Sequence, residues 1–155
     1  MSVDEKILSA LKQRKWGSGH LTDRVVIVED APEVAEALAY VLRRARFDVA
    51  TAPDGMVGLE LVRKNRPKVA IVDLFLPHMS GFELCDTIRR DDRLREMFII
   101  ALTGMAEDDE EMAEMRGSAD VCLRKPVDVD ELVEIVRTAM DAMSSEPGLR
   151  RHLTT

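Results

Sequence analysis

From residue 24 onward, short apolar runs alternate with stretches whose apolar positions recur every three or four residues. VVIV at 25–28 predicts a buried strand. PEVAEALAYVLRRA follows, with Val34, Ala37, Leu38, Val41 and Leu42 on one helical stripe and Pro32 suited to the first turn. FDVAT at 47–51 alternates Phe47, Val49 and Thr51 against Asp48 and Ala50, the period of a strand. After the turn signal PDG, residues 55–65 return to helical spacing and stop at Asn65 and Pro67. VAIVD at 69–73 and MFIIALT at 97–103 predict two further strands on either side of a helix at 82–90. AEDDEEMAEMRG at 106–117 predicts a helix with its acids toward the N-terminus, where the macrodipole favours them. ADVCLRKP at 119–126 and VDVDELVEIVRTAM at 127–140 predict the last strand and the last helix.

Strands that are apolar throughout, rather than alternating, are strands buried on both faces. The chain therefore predicts an α/β fold, a doubly wound five-stranded parallel sheet with helices on both faces. At 155 residues, 46% hydrophobic and 33% charged, it has material for one core, placed over 23–143. Residues 1–22 form an extension in which Val3, Ile7, Leu8 and Leu11 can share a helical face, followed by Trp16 and GSG. A short docking helix on a flexible tether and a disordered leader are both open readings. Residues 144–155 read as a tail.

A formal charge of -7 argues against nucleic acid as a partner, because phosphate neutralisation needs a basic face. No apolar run approaches the roughly 20 residues that span a bilayer, and no secretion signal opens the chain, so a cytoplasmic location without membrane contact is expected. Cys85 and Cys122 lack the spacing of a zinc site or a disulfide framework. His20, His78 and His152 show no ligand spacing, and Met112 and Met115 fit core filling at helical spacing.

In an open parallel sheet, ligands gather outside the carboxyl ends of the strands. There the chain places Glu29 and Asp30, Asp73, Thr103 and Lys125. As isolated residues, the acids would serve as helix caps or turn residues. Brought together they repel: at an effective dielectric near 20, two charges about 4 Å apart cost roughly 4 kcal/mol. Lys125 supplies one compensating charge and a divalent ion would supply more. Magnesium suits one or two carboxylates and shares its shell with a phosphoryl group. The set is suited to forming an acyl phosphate on Asp73.

VVIVED, VAIVDLFLPHMSG, ALTG and LRKP, in this order and at these spacings, resemble the receiver domain of two-component response regulators over about Asp23 to Met143. The resemblance implies the flavodoxin-like strand order 2-1-3-4-5 and a cis Lys125-Pro126 bond. It implies that Asp73 is the phosphoacceptor, taking its group from a sensor histidine kinase or a histidine phosphotransfer protein. Magnesium would be bound by Asp30, Asp73 and the backbone carbonyl of Phe75, with Glu29 acting mainly through water. Thr103, Gly104 and Lys125 would hold phosphoryl oxygens. Phe75 and Met105, two residues after Asp73 and Thr103, would modulate the lifetime of the phosphate. Cys122 takes the place of the family's usual aromatic switch residue. The domain would not be an enzyme beyond accepting and slowly losing phosphate, and would signal to an unknown output protein by contact.

Three other readings stand beside this one. The chain could be the receiver piece of a longer regulator or hybrid kinase. A magnesium-dependent aspartyl phosphatase also uses an aspartyl nucleophile, but wants an acid two residues later, where Phe75 stands. A nucleotide-binding module would need a glycine-rich loop after the first strand, where EDAPE stands.

Overall fold

The strands β1 (Thr22–Val28), β2 (Asp48–Ala52), β3 (Pro67–Asp73), β4 (Phe98–Thr103) and β5 (Val121–Arg124) pair in parallel in the order 2-1-3-4-5, the flavodoxin-like order. The structure is a computed structural model and describes residues 2–11, 21–104 and 118–144. Its helices are α1 (Val3–Leu11), α2 (Pro32–Arg44), α3 (Gly55–Asn65), α4 (Gly81–Arg90) and α5 (Val129–Ser144). The helix expected over 106–117 lies outside the described residues. No described helix is long and apolar enough to cross a membrane.

Alternation of side chains across the sheet divides the core into two layers. Val25, Ile27, Val69, Ile71, Phe98, Ile100 and Leu102 face the layer closed by α2 and α5. Val26, Val28, Ala70, Val72, Ile99 and Ala101 face the layer closed by α3 and α4. Both faces of the central strands are thus fully buried, which is why those strands read as unbroken apolar runs.

Side-chain caps set the starts of α3, α4 and α5. Asp54 and Ser80 each accept a hydrogen bond from the backbone N–H three residues on, at 2.9 and 3.2 Å. Asp128 accepts from the N–H groups of Asp130 and Glu131 at 3.0 and 3.2 Å, which starts α5 at Val129 rather than at residue 127. Arg89 pins the far side of the sheet: its guanidinium donates to the carbonyls of Ser118, Arg95 and Met97 and to Asp120 Oδ2, at 2.7, 2.7, 2.7 and 2.8 Å. Asp120 in turn accepts from the Ile99 N–H at 2.8 Å, so one arginine ties α4 to the entries of β4 and β5.

Helix α1 packs against α5. Ile7 and Leu11 are fully buried in the same layer as Ala139, Met140 and Met143, and Asp4 accepts a hydrogen bond from Thr138 Oγ1 at 2.8 Å. Leu8 remains 48% exposed. A helix of nine residues has little stability by itself, so α1 is held by this packing. Ile7→Ala is therefore expected to destabilise the domain by about 2–4 kcal/mol, and Leu8→Ala by no more than about 0.5 kcal/mol. Urea unfolding midpoints of the two variants check this; equal midpoints would show that α1 does not dock in solution.

Candidate functional site

Three backbone hydrogen bonds lock the carboxyl edge of the sheet just beyond its ladders. The N–H of Glu29 donates to Ala52 O at 3.0 Å, that of Leu74 to Leu102 O at 3.0 Å, and that of Lys125 to Thr103 O at 2.7 Å. The residues that follow the apolar runs are thereby held by the strands rather than by loops. The sheet order makes β1 and β3 neighbours, and so sets Glu29 beside Asp73.

Between them lies the ammonium of Lys125, with Nζ 2.7 Å from Glu29 Oε1 and 3.1 Å from Asp73 Oδ2. Glu29 is 1% and Asp73 4% exposed, while Asp30 is exposed. Carboxylate oxygens of Glu29, Asp30 and Asp73 lie within 4.8 Å of one another. One ammonium against three carboxylates leaves two net negative charges when all are ionised, so the donor set and its charge fit a divalent cation with oxygen ligands.

The strain of this arrangement falls on Glu29. Burial above all, then its hydrogen bond with Asp73 and that group's charge, raise it from an ordinary 4.5 to about 7 against the opposing pull of Lys125. Burial works against the charge on Lys125, but hydrogen bonds and charge from Glu29 and Asp73 outweigh it and raise the ammonium above its usual range.

The cap reading of the acids holds only in part. Helix α2 begins after Ala31, which makes no side-chain cap, so neither Glu29 nor Asp30 is its N-cap. Glu29 Oε2 is at the limit of hydrogen-bond distance, 3.5 Å, from the Ala31 N–H. Asp73 keeps a turn role, accepting the N–H of Phe75 on Oδ1 at 3.1 Å, while its Oδ2 faces Lys125.

Thr103 is buried at the end of β4, the strand between those of Asp73 and Lys125. Gly104 is exposed, and a Cβ there would meet no atom within 4 Å, so steric room alone does not demand glycine. Phe75 is 53% exposed and lies edge-on to Phe82 at 6.3 Å between ring centroids. Cys122 is half-buried and pairs with Ala101 across the β4–β5 ladder. Met105 lies outside the described residues. The Lys125-Pro126 bond is cis.

Gly81 enters the sequence only as the end of a loop and as the last residue of the VAIVDLFLPHMSG motif. A Cβ on it would lie 2.2 Å from the carbonyl oxygen of Asp73 and 2.6 Å from Leu74 Cα. Its N–H donates to Leu74 O at 3.0 Å, closing the loop back beneath the acid. The glycine after the Pro77–Ser80 run was the available signal, but the close backbone approach appears only in three dimensions.

The order of the strands, the acids on β1 and β3 and the lysine after β5 can now be set beside known proteins. Residues 25–137 match the family model of the response regulator receiver domain. The chain is 34% identical over 128 residues to the DNA-binding response regulator MtrA of Mycolicibacterium smegmatis, covering 83% of this chain and 55% of that protein. It is 30% identical over 129 residues to the DNA-binding dual master transcriptional regulator RpaA of a Synechocystis strain, covering 83% and 54%. The chain thus spans about half the length of these curated relatives. The Vibrio cholerae chemotaxis protein CheY4 superposes with a TM-score of 0.70 at 27% identity, over 76% of this chain and 98% of that one. With the strand order, the acid and lysine ends and the matched segment in agreement, the chain belongs to the response regulator receiver domains of two-component systems.

Proposed function

We propose that Asp73 accepts a phosphoryl group from a phosphohistidine on a sensor histidine kinase or histidine phosphotransfer protein, with magnesium held at Asp30, Asp73 and the Phe75 carbonyl and with Glu29 acting through water. The observation that carries this reading is the Lys125 ammonium set between Glu29 Oε1 and Asp73 Oδ2 on a locked strand edge. In the transfer, an Asp73 oxygen bonds to phosphorus while the phosphorus–nitrogen bond breaks and its electron pair returns to the imidazole. Such transfers ask for positioning and charge neutralisation rather than covalent assistance.

Bound magnesium would supply charge neutralisation for the carboxylates and the phosphoryl oxygens. Lys125 would follow the phosphoryl oxygens, Thr103 would offer its hydroxyl and Gly104 its backbone N–H. With Cys122 in place of an aromatic ring, no large side chain at that position can rotate inward, so the signal would travel through the segment after Thr103 to an output protein. The phosphatase reading is disfavoured because Phe75 offers no acid or base. About 45% of MtrA and of RpaA lies outside the match, which is consistent with the reading that this chain is the receiver portion of a longer regulator. Its own charge of -7 supports protein contact as the output of these residues.

Intact mass after acetyl phosphate and magnesium tests the assignment: the parent gains one phosphoryl group, Asp73→Asn gains none, and Asp30→Ala labels far more slowly. A phosphoryl gain that survives Asp73→Asn ends the proposal.

The raised Glu29 carries a pH signature. Between pH 4.5 and about 7 the folded domain keeps a proton that the unfolded chain has released. Stability from this group is complete below 4.5 and is lost as pH rises through about 7. Without divalent metal, the urea midpoint should fall across that window, and Glu29→Gln should flatten the fall. Magnesium competes with the same proton, so its affinity should rise over the same window.

Phe75 and Met105 cannot orient a water by hydrogen bonding, and a long-lived acyl phosphate follows. Phe75→Asn combined with Met105→Glu should shorten its half-life; an unchanged lifetime would remove both residues from that role.

A further inference from the structure

Arg63, Lys64, Arg66 and Arg93 line a cleft of about 570 Å³ with Asp91 and Leu94, at the amino edge of the sheet. Six steps of about 3.3 Å along β3 separate this edge from Asp73, so the two sites are about 20 Å apart. Four cations face one carboxylate here, in a chain whose total charge is -7.

The neighbouring cations are all engaged. Arg24 pairs with Asp48, Lys68 with Asp23, Arg89 with Asp120, Arg90 with Asp86 and Arg95 with Asp92. Among the described residues, the side chains of Arg63, Lys64, Arg66 and Arg93 have neither an ion pair nor a hydrogen bond. Nor do their side chains hydrogen-bond the terminal carbonyls of α3. Leu61 O already accepts from Asn65 Nδ2 and Val62 O from the Arg66 N–H, while Thr22 supplies donors to Asn65 O and Arg66 O. Asp91 turns its Oδ1 to the backbone N–H of Arg93 at 2.9 Å.

We propose that this cleft binds a small anion carrying adjoining phosphoryl groups, either inorganic pyrophosphate or the phosphate tail of a nucleotide. Three guanidinium groups present paired donors that match phosphate oxygens two at a time, and the ammonium adds a point charge. The volume lies in the range of small-molecule sites, and no aromatic residue lines it, so recognition rests on the phosphates and not on a stacked base. Leu94, 1% exposed, contributes an apolar floor that needs no rearrangement.

Calorimetric titration of the full chain with pyrophosphate, at low ionic strength and without divalent metal, tests this. One site is expected, weakened at least about tenfold in the Arg66→Gln, Arg93→Gln double variant and by less than about twofold in Arg44→Gln, a charge loss on α2 outside the cleft. Amide shifts should change at residues 63–66 and 91–94, and the urea midpoint of the double variant should not fall below the parent value. Adenosine diphosphate binding as tightly as pyrophosphate assigns recognition to the phosphates alone, and tighter binding assigns a nucleotide; both support the site. No binding heat, equal weakening in Arg44→Gln, or preference for random duplex DNA over pyrophosphate would overturn it.

Discussion

The ammonium of Lys125 is the charge around which the carboxyl edge of the sheet is assembled. Glu29 and Asp73 come from adjacent strands and are almost wholly buried, which two carboxylates do not tolerate without a cation between them. The lysine belongs to the loop after β5, two strand positions from β3, or about 9.6 Å at the usual strand spacing. Its long stem must therefore pass over β4. The strand it crosses ends in Thr103, a small buried residue, and the Lys125 N–H is anchored to that residue's carbonyl. A bulky group at the end of β4 would stand in the path of the lysine and leave the acids unpaired.

That pairing is incomplete by design of its charges. One ammonium cannot neutralise three carboxylates, and Glu29, raised to about 7, removes one of the two excess negative charges by holding its proton below that pH. A site of this kind trades stability for responsiveness. Proton, divalent cation and phosphoryl group all act on the same few oxygens, so each alters the affinity of the others. Gly81 lets the loop return against the backbone of Asp73, where a Cβ would collide with the acid's own carbonyl oxygen.

Much of this was legible along the chain. Unbroken apolar runs marked strands covered on both faces, and the polar residues closing those runs marked the edge where Glu29, Asp73, Thr103 and Lys125 meet. Boundaries were less legible, because single groups set them. Asp128 caps α5 and trims two residues from the expected start, and Pro67 opens β3 where periodicity began it at Val69. Leu8 shares a helical face with Ile7 and Leu11 on paper, yet among the described residues α1 packs chiefly on α5, and that contact buries Ile7 and Leu11 while Leu8 stays about half exposed. Arg89 carries no signal along the chain beyond its place near the end of a helical stretch. The four hydrogen bonds described above reach residues 6 to 31 positions away, a distance no local pattern encodes.

The polarity of the fold accounts for part of the charge distribution and isolates the remainder. In a parallel α/β sheet the helices run back against the strands, so their N-termini border the carboxyl edge and their C-termini the amino edge. Acids in the first turns of α2, α4 and α5 and bases in the last turns of α2, α3 and α4 follow the macrodipole, each worth about 0.3–1 kcal/mol. Arg63 and Lys64 are covered by that explanation, since both stand in the last turn of α3. Arg66 and Arg93 are not. Arg66 is the left-handed residue beyond the helix end, at φ 46°, and Arg93 lies past the end of α4, in the segment leading to β4. Placing two more guanidinium groups beside an already basic helix end raises the local repulsion, and no carboxylate but Asp91 stands in the cleft to relieve it. Relief must come from solution, either from diffuse counterions or from one ligand that gathers several negative charges at once, and only the second makes the two arginines more than a cost.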